Sequence, residues 1–126
     1  MRKFKVMLID DSKTIFKTAK MFLSEEEYEL IHVENGFEAL AQIMETMPDV
    51  ILLDVLMPKL DGLQTCQLLK RNDELKHIPI IFLSSKDGEF DKARGNIAGA
   101  NDYLTKPFKK ETINEMLKKH TENLIN

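Results

Sequence analysis

Five short apolar runs, each followed by a longer amphipathic stretch, constrain this chain more than any other feature. The runs are Val6-Met7-Leu8-Ile9, Leu30-Ile31-His32-Val33, Val50-Ile51-Leu52-Leu53, Ile80-Ile81-Phe82-Leu83 and the weaker Asp102-Tyr103-Leu104-Thr105. Unbroken apolar runs rich in β-branched residues read as strands buried on both faces, the environment of a parallel sheet. The first, third and fourth runs belong at its centre. The second and fifth are mixed and belong at its edges. Between them apolar residues recur at helical spacing: Ile15, Ala19, Phe22 and Leu23; a segment from Phe37 to Met47; Leu63 to Leu69; Phe90, Ala93 and Ile97; and Ile113, Met116, Leu117 and Leu124, with Lys109, Lys110, Lys118 and Lys119 free to face water. Pro48 and Pro79 precede strands, Pro58 and Pro107 follow them, and none interrupts an element. Strand–helix alternation of this kind predicts an open α/β fold with helices on both faces of a doubly wound sheet. The 126 residues are consumed by it, so a single domain over 1–126 is expected.

Composition excludes several roles. Eighteen Lys and Arg against 21 Asp and Glu leave a net charge of −3 and no basic block, a poor basis for binding nucleic acid. One cysteine, Cys66, can form neither an internal disulfide nor a zinc cluster, which favours a reducing, cytoplasmic setting. The apolar runs fall far short of the roughly 20 residues that span a bilayer, and two aspartates interrupt the N-terminal run too early for a signal peptide. No membrane insertion is expected.

In open α/β sheets, sites form beyond the carboxyl ends of the strands. Asp10 and Asp11 follow the first run, Asp54 ends the third, Ser84 and Ser85 follow the fourth, and Lys106-Pro107 follows the fifth. Glu34, after the second, is left out, because an edge strand need not reach the site. Three carboxylates brought together repel: at ~4 Å two unit charges interact by roughly 4 kcal/mol at an effective dielectric of about 20. Lys106 offsets one, and a divalent cation would offset the others. An all-oxygen donor set favours Mg2+, Mn2+ or Ca2+ over zinc. A carboxylate can itself be a nucleophile and form an aspartyl-phosphate. Asp54 suits that role, since it ends the most apolar central run and needs no base at neutral pH. The cation, Lys106 and the Ser84 hydroxyl would then stabilise the phosphoryl oxygens.

The segments IDDSK (9–13), LLDVLMPKLDG (52–62), LSSKDG (83–88) and YLTKPF (103–108) resemble the receiver domain of bacterial two-component response regulators. The likeness covers essentially the whole chain, and the four motifs occur in order, each at a strand end. It implies a flavodoxin-like sheet in the order 2-1-3-4-5 with five helices. It further implies that Asp54 accepts a phosphoryl group from a histidine kinase with Mg2+. Asp11, Asp54 and the backbone carbonyl of Leu56 would hold the ion directly, and Asp10 mainly through water. Ser84 and Lys106 would bind the phosphoryl group, and Lys106–Pro107 would be a cis peptide. Ser84 and Tyr103 would form the switch. The resemblance also implies a downstream protein target on the face formed by the fourth helix, fifth strand and fifth helix. Leu56 and Lys86 stand where receivers tune dephosphorylation, and Leu56 cannot orient a water by hydrogen bonding. IDDSKTI (9–15) and SSKDGEFDKARG (84–95) resemble the stand-alone receivers of type IV pilus, or twitching-motility, chemosensory systems.

Plainer readings compete. Paired acids at one strand end often cap the next helix. Asp61-Gly62 and Asn35-Gly36 read as turn and cap chemistry. Ser12-Lys13-Thr14 lacks the glycine-rich loop of a nucleotide site. Cys66 reads as a packed thiol, and His32, His77 and His120 as surface or edge residues. The acids could also serve an aspartyl-phosphate phosphohydrolase, but Leu56 stands where such enzymes carry a second acid. A flavodoxin-like electron carrier would need a hydroxyl-rich loop after the first strand. A receiver-shaped module indifferent to phosphate would not need the full acid–hydroxyl–lysine set.

Overall fold

The structure, a computed structural model, describes residues 3–55, 61–84 and 98–124. In chain order the elements are β1 (Phe4–Ile9), α1 (Lys13–Phe22), β2 (Tyr28–Val33), α2 (Gly36–Thr46), β3 (Val50–Asp54), α3 (Gly62–Arg71), β4 (Ile80–Ser84), β5 (Asp102–Thr105) and α4 (Lys110–Thr121), closed by a 3-10 turn (Glu122–Leu124). All strands run parallel, in the order β2-β1-β3-β4-β5. The three apolar runs lie at the centre and the two mixed ones at the edges, as expected from their burial needs. Four α-helices lie among the described residues. The helix expected around Phe90, Ala93 and Ile97 falls outside them.

Period-two alternation sends successive side chains of each central strand into opposite layers. Met7, Ile9, Ile51, Leu53, Ile80 and Phe82 pack under α2 and α3 through Ala39, Ile43, Leu63, Cys66 and Leu69. Val6, Leu8, Val50, Leu52, Ile81 and Leu83 pack under α1 and α4 through Ala19, Ile113 and Leu117. Two full layers explain why these runs read as continuously apolar rather than alternating.

Local chemistry sets the helix ends. Ser12 caps α1, its Oγ accepting from the Ile15 N–H at 3.2 Å. Asn35 caps α2 in the same way through the Glu38 N–H, at 3.0 Å. Asp61 and Gln64 form a reciprocal capping box on α3. Asn114 donates to the carbonyls of Phe22 and Lys110, which ties α4 to the end of α1. The Lys70 ammonium donates to the carbonyls of Lys76 and Ile78 and to Asn101 Oδ1, bracing the segment before β4 against that before β5. One expectation needs correction. Leu124 does not continue the apolar stripe of the last helix; it is 40% exposed. The α-helix ends at Thr121 and the 3-10 turn has a different period, so spacing from Ile113 no longer predicts facing.

Candidate functional site

Register brings the strand ends level. Ile9 pairs with Leu53, Asp54 with Leu83, and Ser84 with Thr105. The residues just beyond those pairs therefore emerge along one rim. Asp10 and Asp11 follow β1, Asp54 ends β3, Ser84 ends β4, and Lys106 follows β5.

The carboxylates of Asp10, Asp11 and Asp54 converge, each offering an oxygen within 4.8 Å of the others. Asp10 and Asp54 are buried and Asp11 is exposed. Lys106 Nζ stands 3.3 Å from Asp10 Oδ2 and 3.3 Å from Asp54 Oδ1, a single ammonium bridging two carboxylates. The remaining polar atoms of Asp10 are also engaged. Its Oδ1 accepts from the Ser12 N–H at 2.8 Å, and its own N–H donates to the Val33 carbonyl at 3.0 Å. Its carbonyl accepts from His32 Nε2 at 2.7 Å. Asp10 is thus held on every side, whereas Asp11 stands in solvent at the mouth of the cluster.

This donor set fits a hard divalent cation. It is made of carboxylate oxygens and no sulfur, and three anions face one resident cation. The buried Ser84 lies on the same rim, and its carbonyl accepts from the Lys106 N–H at 2.6 Å. The Lys106–Pro107 bond is cis. Leu56 and Lys86 lie outside the described residues.

Behind Asp54 the backbone is tightly backed. The Gly62 N–H donates to the Val55 carbonyl at 3.1 Å. A Cβ on Gly62 would collide with the Asp54 carbonyl oxygen and stand 2.9 Å from Val55 Cα. Asp61-Gly62 is therefore more than a turn: Asp61 caps α3 and the missing side chain of Gly62 lets that helix abut the Asp54 backbone.

Tyr103 sits one strand away from the acids. It is half-buried, with its ring 6.3 Å from that of Phe82. Burial, and then the charges of Cys66 and Asp102, raise its phenol pKa. Cys66 is fully buried against the Ala98 carbonyl, and burial pushes its thiol up to about 11, as befits a packed side chain. Two histidines are better connected than their spacing suggested. His120 contacts Asp102 Oδ2 at 3.1 Å, beside Lys119 at 2.8 Å. His32 reaches the main chain of Asp10. The clue available for His32 was its place near the end of a strand that neighbours the first. The acceptor, a backbone carbonyl, leaves no mark in a sequence.

Residues 6–118 match the response regulator receiver domain family. The chain belongs to that family. It is 53% identical over 116 residues to the protein PilG of Pseudomonas aeruginosa, covering 92% of this chain and 86% of that one. The chemotaxis response regulator CheY4 of Vibrio cholerae superposes with a TM-score of 0.86 at 31% identity, over 94% of this chain and 99% of that one. The receiver domain of the sensor histidine kinase PA1611 from Pseudomonas aeruginosa PAO1 superposes with a TM-score of 0.84 at 26% identity, over 94% and 97% of the two chains. That receiver has a magnesium ion coordinated in its active-site cleft. The chain is thus a two-component response regulator receiver, a signalling component with homologues in pilus and chemotaxis systems. None of its helices among the described residues is long and apolar enough to cross a membrane.

Proposed function

We propose that residues 1–126 act as one receiver domain that takes a phosphoryl group on Asp54 from a histidine kinase and then changes its affinity for a protein partner. The observation that carries this is the bridging ammonium: Lys106 Nζ at 3.3 Å from both Asp10 and Asp54, inside a cluster of three acids. Asp54 supplies the nucleophile. A carboxylate oxygen of Asp54 attacks phosphorus, an O–P bond forms, the donor's P–N bond breaks, and the imidazole leaves with the electron pair. Lys106 and the Ser84 hydroxyl receive the phosphoryl oxygens. Asp11, Asp54 and the Leu56 carbonyl would hold Mg2+, with Asp10 acting through water. The bound ion supplies countercharge to the phosphoryl oxygens. The Mg2+-bearing PA1611 receiver supports this choice of ion.

Transmission follows from a two-state switch. Ser84 is drawn towards the phosphoryl group, Tyr103 turns into the space it leaves, and the face built from β5, α4 and the expected helix near Phe90 alters. That face meets the downstream protein. The likeness to PilG supports a place in type IV pilus or chemotaxis-type motility signalling in the cytoplasm. In this reading the chain promotes only its own phosphorylation and dephosphorylation.

The test is incubation with acetyl phosphate and Mg2+, read by intact mass. One phosphate is expected on the wild type, and none on Asp54→Asn or in the presence of EDTA. A phosphate retained by Asp54→Asn would overturn the assignment. For the pathway, a twitching defect on deletion should be restored by the wild type and not by Asp54→Asn.

A further inference from the structure

We propose that His32 is a positioning residue for the acid cluster: it fixes the Asp10–Asp11 peptide and so the direction in which the Asp11 carboxylate faces the cation site. The proposal rests on the reading that these acids hold a divalent ion.

The geometry is specific. His32 lies on the edge strand β2, paired with Leu8, and its Nε2 is 2.7 Å from the carbonyl oxygen of Asp10. A carbonyl only accepts, so Nε2 carries the hydrogen and the neutral ring is the Nε2–H tautomer. The ring is held flat by Phe16, at 4.6 Å between centroids and 8° between planes. Phe16 in turn carries Lys20 Nζ 5.9 Å from its own centroid. Phe16 belongs to α1, whose cap Ser12 accepts the Phe16 N–H through its carbonyl and donates its own N–H to Asp10 Oδ1. The contacts close a ring: His32 to Asp10, Asp10 to Ser12, Ser12 to Phe16, and Phe16 back to His32.

That ring controls one torsion in particular. The Asp10 carbonyl and the Asp11 N–H share a single planar peptide unit. Turning that unit to leave His32 would swing the Asp11 Cα and its carboxylate with it. The Asp10 side chain has Ser12 and Lys106 to hold it, but Asp11 is exposed and depends on its backbone for direction. Mutating an outer residue that orients a metal's ligand typically costs roughly 10–100-fold in metal affinity. An acidic residue at position 32 could not donate this bond and would add a further negative charge beside the cluster.

Two variants of the full chain separate the hydrogen bond from the packing. His32→Phe keeps a flat ring against Phe16 and removes the donor. His32→Gln places an amide N–H at nearly the reach of Nε2. Mg2+ affinity is measured by calorimetry, thermal melting is followed in EDTA, and the wild-type imidazole tautomer is read from 15N NMR. The expected results are the Nε2–H tautomer, a loss of roughly tenfold in Mg2+ affinity for His32→Phe, and recovery to within about twofold for His32→Gln. An Nδ1–H tautomer, unchanged affinity in a folded His32→Phe, or a folded His32→Gln as weak as His32→Phe would each overturn the proposal. A wild type that takes up no Mg2+ overturns the cation site itself, a failure the wild-type isotherm distinguishes from that of His32 alone.

Discussion

Asp54 carries opposing charges at close range. It loses an attraction to Lys106 if neutralised, but it also loses repulsion from two neighbouring carboxylates. Two repulsions outweigh one attraction at similar distances. Asp54→Asn should therefore melt higher than the wild type when divalent ions are chelated, by about 1 kcal/mol or roughly 3–6 °C. Scanning calorimetry in EDTA decides it, and a lower melting point would mean that Lys106 dominates. Leu56 bears on a different step. Its side chain offers a hydrolytic water no partner, so the aspartyl-phosphate should be long-lived, and Leu56→Asn should shorten its lifetime severalfold. Phosphate release followed over time checks this; an unchanged lifetime removes Leu56 from the step.

At the scale of elements, α3 and β5 give the sharpest expectations. Replacing glycine by alanine in a helix ordinarily stabilises by about 1 kcal/mol. At Gly62 the sign reverses, because the added methyl meets the Asp54 backbone, which cannot yield without moving the strand end. Gly62→Ala should cost about 1–3 kcal/mol in urea unfolding and should slow phosphorylation of Asp54 as well. On β5, burial alone would raise the Asp102 carboxyl, but bonds from Lys119, the Tyr103 N–H and His120 outweigh it and hold it below its usual 3.8. A carboxyl depressed by folding adds stability above its unfolded value and loses it as pH falls through the folded one. The wild type should thus exceed Asp102→Asn in stability at neutral pH by a fraction of ~1 kcal/mol, the pair being partly solvated. The gap should close below about pH 4; thermal melts across that range measure it. The strands were legible because two packed layers impose an unbroken apolar run that nothing else explains. The cap at Asn35 was legible as a turn, since the same side-chain oxygen serves both. Leu124 departs from the helical stripe because period alone does not show where an α-helix tightens into a 3-10 turn. His32 reads as an edge residue, which it is, but its bond to Asp10 has no sequence signal because the partner is main chain.

Seen whole, the molecule gathers residues from four strand ends into one rim while the two apolar layers hold the strands in register. Much of that rim was legible, since a parallel sheet sends every carboxyl end the same way: Asp10, Asp11 and Lys106 come just after their strands and Asp54 ends its own. What the chain could not disclose was the division of labour within the rim, with Asp10 bound on all sides and Asp11 left open to water. The charge there has a long reach. Three carboxylates and one ammonium leave two negative charges in the cluster of Asp10, Asp11, Asp54 and Lys106. The local field at the cluster is therefore anionic. Mg2+ is drawn in by that field, so raising ionic strength with a monovalent salt at low Mg2+ should weaken its binding and slow labelling by acetyl phosphate, and the slowing should vanish once the divalent ion is saturating.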